Sequence, residues 1–160
     1  MRGRFSAPGV VRFLVPGVEW RASNLWERRS MSFVPFADQK YLSLETFKKD
    51  GWGVRTPIWF AADPAVSLDS ASAKLYIYTI GDTGKVKRIR NNGQARIAPC
   101  DMRGKILGEW VTVRAAIVTG DEAARGTRLL NKKYWPLKQI MGFFASFSRR
   151  ERVILAIQPA

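Results

Sequence analysis

The sequence predicts a mainly β, α+β domain in which about six antiparallel strands close into a small barrel, with short helices at its flanks. Three observations carry this. Six segments, at 40–47, 52–60, 74–80, 95–100, 106–119 and 152–157, alternate apolar and polar residues or are rich in β-branched and aromatic types. Helical periodicity is confined to short stretches between them. An open sheet of that size would also expose two edges, which closure removes.

In order along the chain, Leu42, Leu44 and Thr46 alternate with Ser43, Glu45 and Phe47. Lys48-Lys49-Asp50-Gly51 then supplies an Asp-Gly turn into a second strand carrying Trp52, Arg55, Thr56, Pro57, Ile58 and Trp59. Asp63-Pro64 and the serines that follow make a loop before the aromatic strand at 74–80. The segment 85–93 reads as a short helix with Val86 and Ile89 on its apolar face and Gly93 as its stop. Asp101-Met102-Arg103-Gly104 turns between the fourth and fifth strands, and Val111, Val113, Ala115 and Ile117 mark the inward face of the fifth. Asp121 and Glu122 open a helix over 121–133, where acidic residues suit the dipole. Pro136 interrupts it, and a second helical piece over about 137–147 presents Ile140, Met141, Phe143 and Phe144.

Residues 31–160 read as this one domain, a size that buries a substantial core. Residues 1–30 differ: Arg2, Arg4, Arg12, Arg21, Arg28 and Arg29 are spread among prolines and glycines without period. They read as a disordered extension, or as a misassigned start ahead of Met31. No apolar run approaches the roughly 20 residues that cross a bilayer as a helix.

The charge narrows the partners. Against 27 Lys+Arg there are 13 Asp+Glu, a net +14, so an anion is expected: nucleic acid, an acidic membrane or a phosphorylated small molecule. The chain contains no histidine, which removes the commonest general base and metal ligand and every Ser-His or Cys-His nucleophile pair. Cys100 is the only cysteine, so no internal disulfide and no thiolate zinc site can form; no metal site is expected, and a cytoplasmic location suits that usage. On its strand Cys100 reads as a small buried hydrophobe.

The densest chemical signal is Tyr76-Ile77-Tyr78-Thr79-Ile80-Gly81-Asp82-Thr83-Gly84-Lys85-Val86-Lys87-Arg88. A strand runs through a small-residue turn into a basic helix start, where free N–H groups and lysine charges both favour an anion. Lys85, Lys87 and Arg88 are candidate phosphate ligands, with a solvated helix face as the plain alternative. Pro57 cannot donate to a ladder, so its strand must be open or interrupted there, leaving room for a planar ligand. The plain alternative is that Pro57 blunts an edge and Trp59 is core.

These residues, from the hairpin through Val54-Arg55-Thr56-Pro57-Ile58-Trp59-Phe60 to Tyr78-Thr79 and Lys85, resemble the split β-barrel flavin and deazaflavin proteins related to pyridoxamine 5′-phosphate oxidase. More narrowly, the Arg-Thr-x-x-Trp-Phe segment and the Gly-Lys-Val-Lys-Arg-Ile-Arg-Asn-Asn run are similar to members that use the deazaflavin coenzyme F-420. The resemblance implies a split β-barrel and an F-420-dependent oxidoreductase that passes a hydride to an unsaturated or conjugated small-molecule acceptor. It implies cofactor contacts at Thr56, Pro57, Ile58 and Trp59 along the ring and at Tyr78, Thr79 and Lys85 around the phosphate. The family's arginine before that lysine is Gly84 here, so Arg55, Lys87 or Arg88 is expected to supply the missing charge. A homodimer with two interfacial sites is also implied, Trp110 and Arg114 facing the second chain. Tyr134, Trp135, Phe143, Phe144 and Phe147 are expected over the substrate side, or in a core or dimer contact. The alternatives are an FMN-dependent enzyme of the same fold, or a barrel that only binds coenzyme, haem or nucleic acid.

Overall fold

A computed structural model describes residues 32–135 and 151–160. The basic extension at 1–30, the second helical piece at 137–147 and the candidate cover residues Phe143, Phe144 and Phe147 lie outside the described residues. Six strands form a closed antiparallel barrel: β1 (Tyr41–Phe47), β2 (Gly53–Ala62), β3 (Leu75–Ile80), β4 (Gln94–Cys100), β5 (Val111–Val118) and β6 (Arg152–Pro159), in the spatial order β1-β2-β3-β6-β5-β4. Among the described residues two helices flank it, α1 (Gly84–Asn91) between β3 and β4 and α2 (Gly120–Tyr134) after β5. No described helix is long and apolar enough to cross a membrane.

Alternation sorts the strands into two faces. Leu42, Leu44, Phe60, Leu75, Ile77, Ile97, Val113, Leu155 and Ile157 fill the barrel, and Phe33 and Phe36 plug one mouth as an edge-to-face pair at 6.1 Å. Burying each such side chain contributes on the order of 1.5–3 kcal/mol. Outside, α2 lies over β2, β3 and β6, where Ala61, Tyr76, Leu130, Tyr134, Ile154 and Ala156 form a second cluster. Val86 and Ile89 bury the apolar side of α1.

The first turn follows its sequence signal. Gly51 takes φ +82°, the Gly51 N–H bonds the Lys48 carbonyl (3.0 Å), and Asp50 accepts from the Trp52 N–H (3.0 Å). The fifth strand differs from expectation: it begins at Val111, and Ile106 makes only a single bridge to Cys100. Loop 101–110 instead folds back, with Asp101 accepting from the N–H groups of Arg103 (2.8 Å) and Lys105 (2.9 Å).

Close packing of α2 depends on Gly126, where a Cβ would stand 2.8 Å from the Tyr76 ring and 2.9 Å from the Ile154 side chain. Gly126→Val should therefore lift the helix and destabilise the fold by about 1–3 kcal/mol, overriding the better helix propensity of the new residue. Thermal unfolding checks this; an unchanged midpoint would contradict the packing.

Candidate functional site

Two features meet at the end of the barrel near α1. The first is the split in the sheet. Along Gly53–Phe47, Val54–Thr46 and onward to Trp59–Tyr41, β2 pairs only with β1, and it joins β3 only from Phe60 to Ala62. Arg55, Thr56, Pro57, Ile58 and Trp59 therefore lie on a stretch with one unpaired edge. The missing proline donor falls where only one ladder exists, which is how a strand tolerates it.

The second is the turn from β3 into α1. Thr79 faces inward and is buried, and the half-buried Lys85 ammonium donates to its hydroxyl (3.2 Å). Burial, reinforced by the nearby charge of Arg88, pushes the Lys85 pKa down. No carboxylate pairs with Lys85 among the described residues. Arg88 leans the same way, donating from Nε to Thr46 Oγ1 (2.8 Å). A Cβ on Gly84 would stand 2.9 Å from an Arg88 terminal nitrogen, so the space freed by glycine is where that guanidinium lies. Of the three cations expected near position 84, Arg88 is the one whose guanidinium lies beside it. Thr83 does not cap α1 with its side chain; its hydroxyl bonds back to the Ile80 carbonyl (2.9 Å).

Other candidates go elsewhere. Tyr78 follows the strand alternation to the outer face, where its hydroxyl accepts from Arg152 (2.6 Å). Lys87 is exposed and lines a shallow hollow with Gly81, Asp82, Arg90 and Glu151. Arg55 is on the outer face, bonded through Nε to Glu45 (3.0 Å), so it does not join Lys85. Trp59 stacks on Tyr134 at 4.8 Å and 11°. Thr56 and Ile58 share the inward register of β2 with Phe60. Thr79, Lys85 and Arg88 are brought together; Arg55, Tyr78 and Lys87 are not.

Two contributors escaped the sequence reading. Thr46 looked like another alternating strand residue, and only the packing of α1 on β1 reveals it as the partner of Arg88. Glu45 sits opposite both Arg55 and Arg96 because β1 pairs with β2 on one side and β4 on the other. Alternation placed Glu45 on the outer face, but the register that surrounds it with two arginines is set by closure.

No protein-family model and no curated protein matches the sequence. Solved structures match it in fold. HutZ, the heme storage protein of Vibrio cholerae, aligns over 87% of this chain and 89% of its own with a TM-score of 0.53 and 13% identity. A heme binding protein of Mycobacterium smegmatis aligns over 86% of this chain and 51% of its own, with a TM-score of 0.52 and 13% identity. An F420 reductase aligns over 77% of this chain and 89% of its own at a TM-score of 0.47 and 20% identity, too loosely to bear on the cofactor. The closed six-strand antiparallel barrel, with two helices beside it among the described residues, is a split β-barrel fold.

Proposed function

We propose that this protein is an oxidoreductase that binds the deazaflavin coenzyme F-420 and uses it to reduce an unsaturated or conjugated small molecule. The observation that carries the reading is Lys85: a desolvated ammonium, facing a hydroxyl and a second cation and paired with no carboxylate among the described residues, is stabilised by an arriving anion. Thr79, Lys85 and Arg88 would hold the phosphate, and the open edge of β2 at Thr56, Pro57, Ile58 and Trp59 would lie against the ring. When bound, the reduced coenzyme supplies the hydride, so no histidine or metal need be recruited for that chemistry. The protein's part is to grip, orient and shield. Tyr134 is not the proton source in this reading. Burial pushes its pKa up to about 12, and its hydroxyl, bonded among the Phe60 N–H and the Lys40 and Phe60 carbonyls, ties α2 to the barrel.

The preference for F-420 over FMN rests on what lies beyond Arg88. A hollow lined by Phe47, Lys48, Lys49, Arg88, Asn91 and Asn92 shares Arg88 with the proposed phosphate seat, and a cationic surface there suits a longer anion than one phosphate. A homodimer with interfacial sites belongs to the same reading, with Trp110 and Arg114 as the residues facing the second chain. Haem is disfavoured: the chain has no histidine to ligate it, and burial pushes the Cys100 thiol up, away from the thiolate.

Titrating purified protein with F-420 and, separately, with FMN, followed by fluorescence quenching, tests the proposal. Micromolar binding of F-420, with FMN at least about ten-fold weaker, is expected. Binding of FMN alone would transfer the site to the flavin, and binding of neither would end the cofactor reading.

A further inference from the structure

The outer face of the open stretch of β2 carries a cluster that the coenzyme does not use. Glu45 is almost fully buried beneath it, its side chain 5% exposed, accepting from Arg55 Nε (3.0 Å), from Arg96 Nε (2.6 Å) and from an Arg96 terminal nitrogen (2.5 Å). The Arg55 guanidinium carbon lies 4.9 Å from the Trp110 ring centroid and that of Arg96 5.4 Å. Gly53 is required for this floor, since a Cβ there would stand 2.6 Å from Glu45 Oε1. Two guanidinium charges against one carboxylate leave the cluster net positive, and the Arg55 and Arg96 side chains remain 57% and 40% exposed. Arg55 is held through Nε alone, which leaves its terminal nitrogens with no partner among the described residues.

Burying Glu45 costs desolvation, and pairs with one exposed partner return little stability, so fold stability is a weak reason for the arrangement. Its result is a guanidinium whose position is fixed from two sides, by the buried carboxylate and the indole. A fixed fork presenting two N–H donors to solvent matches the two coplanar oxygens of a carboxylate, and its plane offers a stacking surface for a conjugated group.

We propose that Arg55, fixed on Glu45 and Trp110, is a recognition site for a conjugated carboxylate, the chemical class of the acceptor. The site itself follows from this cluster alone. Its assignment to the acceptor rests on the coenzyme reading, because Arg55 shares its face of β2 with Pro57 and Trp59, next to the strip given to the ring.

The test uses 2-naphthoate and its uncharged amide, 2-naphthamide, with ligand-detected NMR titration of the full chain at low salt. Naphthoate should bind at least about ten-fold tighter than naphthamide. Arg55→Met should abolish that preference, and Arg55→Lys, which keeps the charge but loses the fork, should recover only part of it. Arg55→Met should fold, since Arg96 still holds Glu45 through two contacts, and its thermal midpoint confirms this. Lys85→Ala should leave naphthoate binding unchanged, so failure of F-420 to bind and failure of this site are read separately. Equal affinity for acid and amide, no naphthoate binding, or an unchanged preference in Arg55→Met would each overturn the proposal.

Discussion

Replacing Glu45 by alanine should destabilise the fold by about 2 kcal/mol and leave it less sensitive to acid. The carboxylate is buried between two arginines on neighbouring strands, so its removal deletes the side-chain bonds that join β2, β1 and β4 there and leaves two like charges facing each other. The figure lies below that for a broken buried pair because both guanidiniums are partly exposed and can turn to water. Arg96→Met should cost less, and Arg55→Met least, since Arg96 makes two of the contacts.

The same residue sets an acid limit. Burial raises the Glu45 pKa, but the hydrogen bonds and charges of Arg55 and Arg96 outweigh it and hold the carboxyl below its ordinary 4.5. Asp63, held by Arg125 through bonds of 2.8 and 2.7 Å, is likewise lowered from 3.8. For a group depressed on folding, the unfolded chain binds protons first as pH falls. The stabilisation is therefore complete above about pH 4.5, declines below it, and is gone once pH has fallen through the folded pKa. Urea unfolding from pH 7 to pH 3 should show this decline in wild type, with the Glu45 part missing in Glu45→Ala. A parallel decline in both would remove Glu45 from the account.

The second large effect is at Lys85. A charge-assisted bond from a desolvated ammonium to phosphate contributes roughly 1.5–3 kcal/mol, so Lys85→Ala should weaken coenzyme binding by about ten-fold or more. Stability should change little or rise, because the variant also removes a half-buried charge whose only bonded partner among the described residues is the Thr79 hydroxyl. A loss of affinity without loss of stability separates a ligand-binding lysine from a structural one. Lys87→Ala, on the exposed side of α1, should have a much smaller effect.

Much of the barrel was legible because strand period and turn chemistry are local. Leu42, Leu44 and Thr46 do face inward, Asp50-Gly51 does turn the chain, and Pro57 does mark a stretch of β2 with one open edge. What escaped depends on contacts distant in sequence. Residues 106–110, Trp110 among them, read as the start of β5 because their composition suits a strand, whereas the loop that Asp101 ties back on itself runs on to Trp110. Tyr78 and Thr79 were grouped by the resemblance, and as adjacent strand residues they face opposite ways. Gly84 looked like a lost charge, and only the fold of α1 shows the Arg88 guanidinium in the space it leaves.

The most direct measurement is F-420 affinity in wild type and Lys85→Ala, with unfolding followed in parallel. The account predicts micromolar binding in the wild type, a loss of about ten-fold or more in the variant, and an unfolding midpoint no lower than that of the wild type. Equal affinity in the two proteins would contradict it.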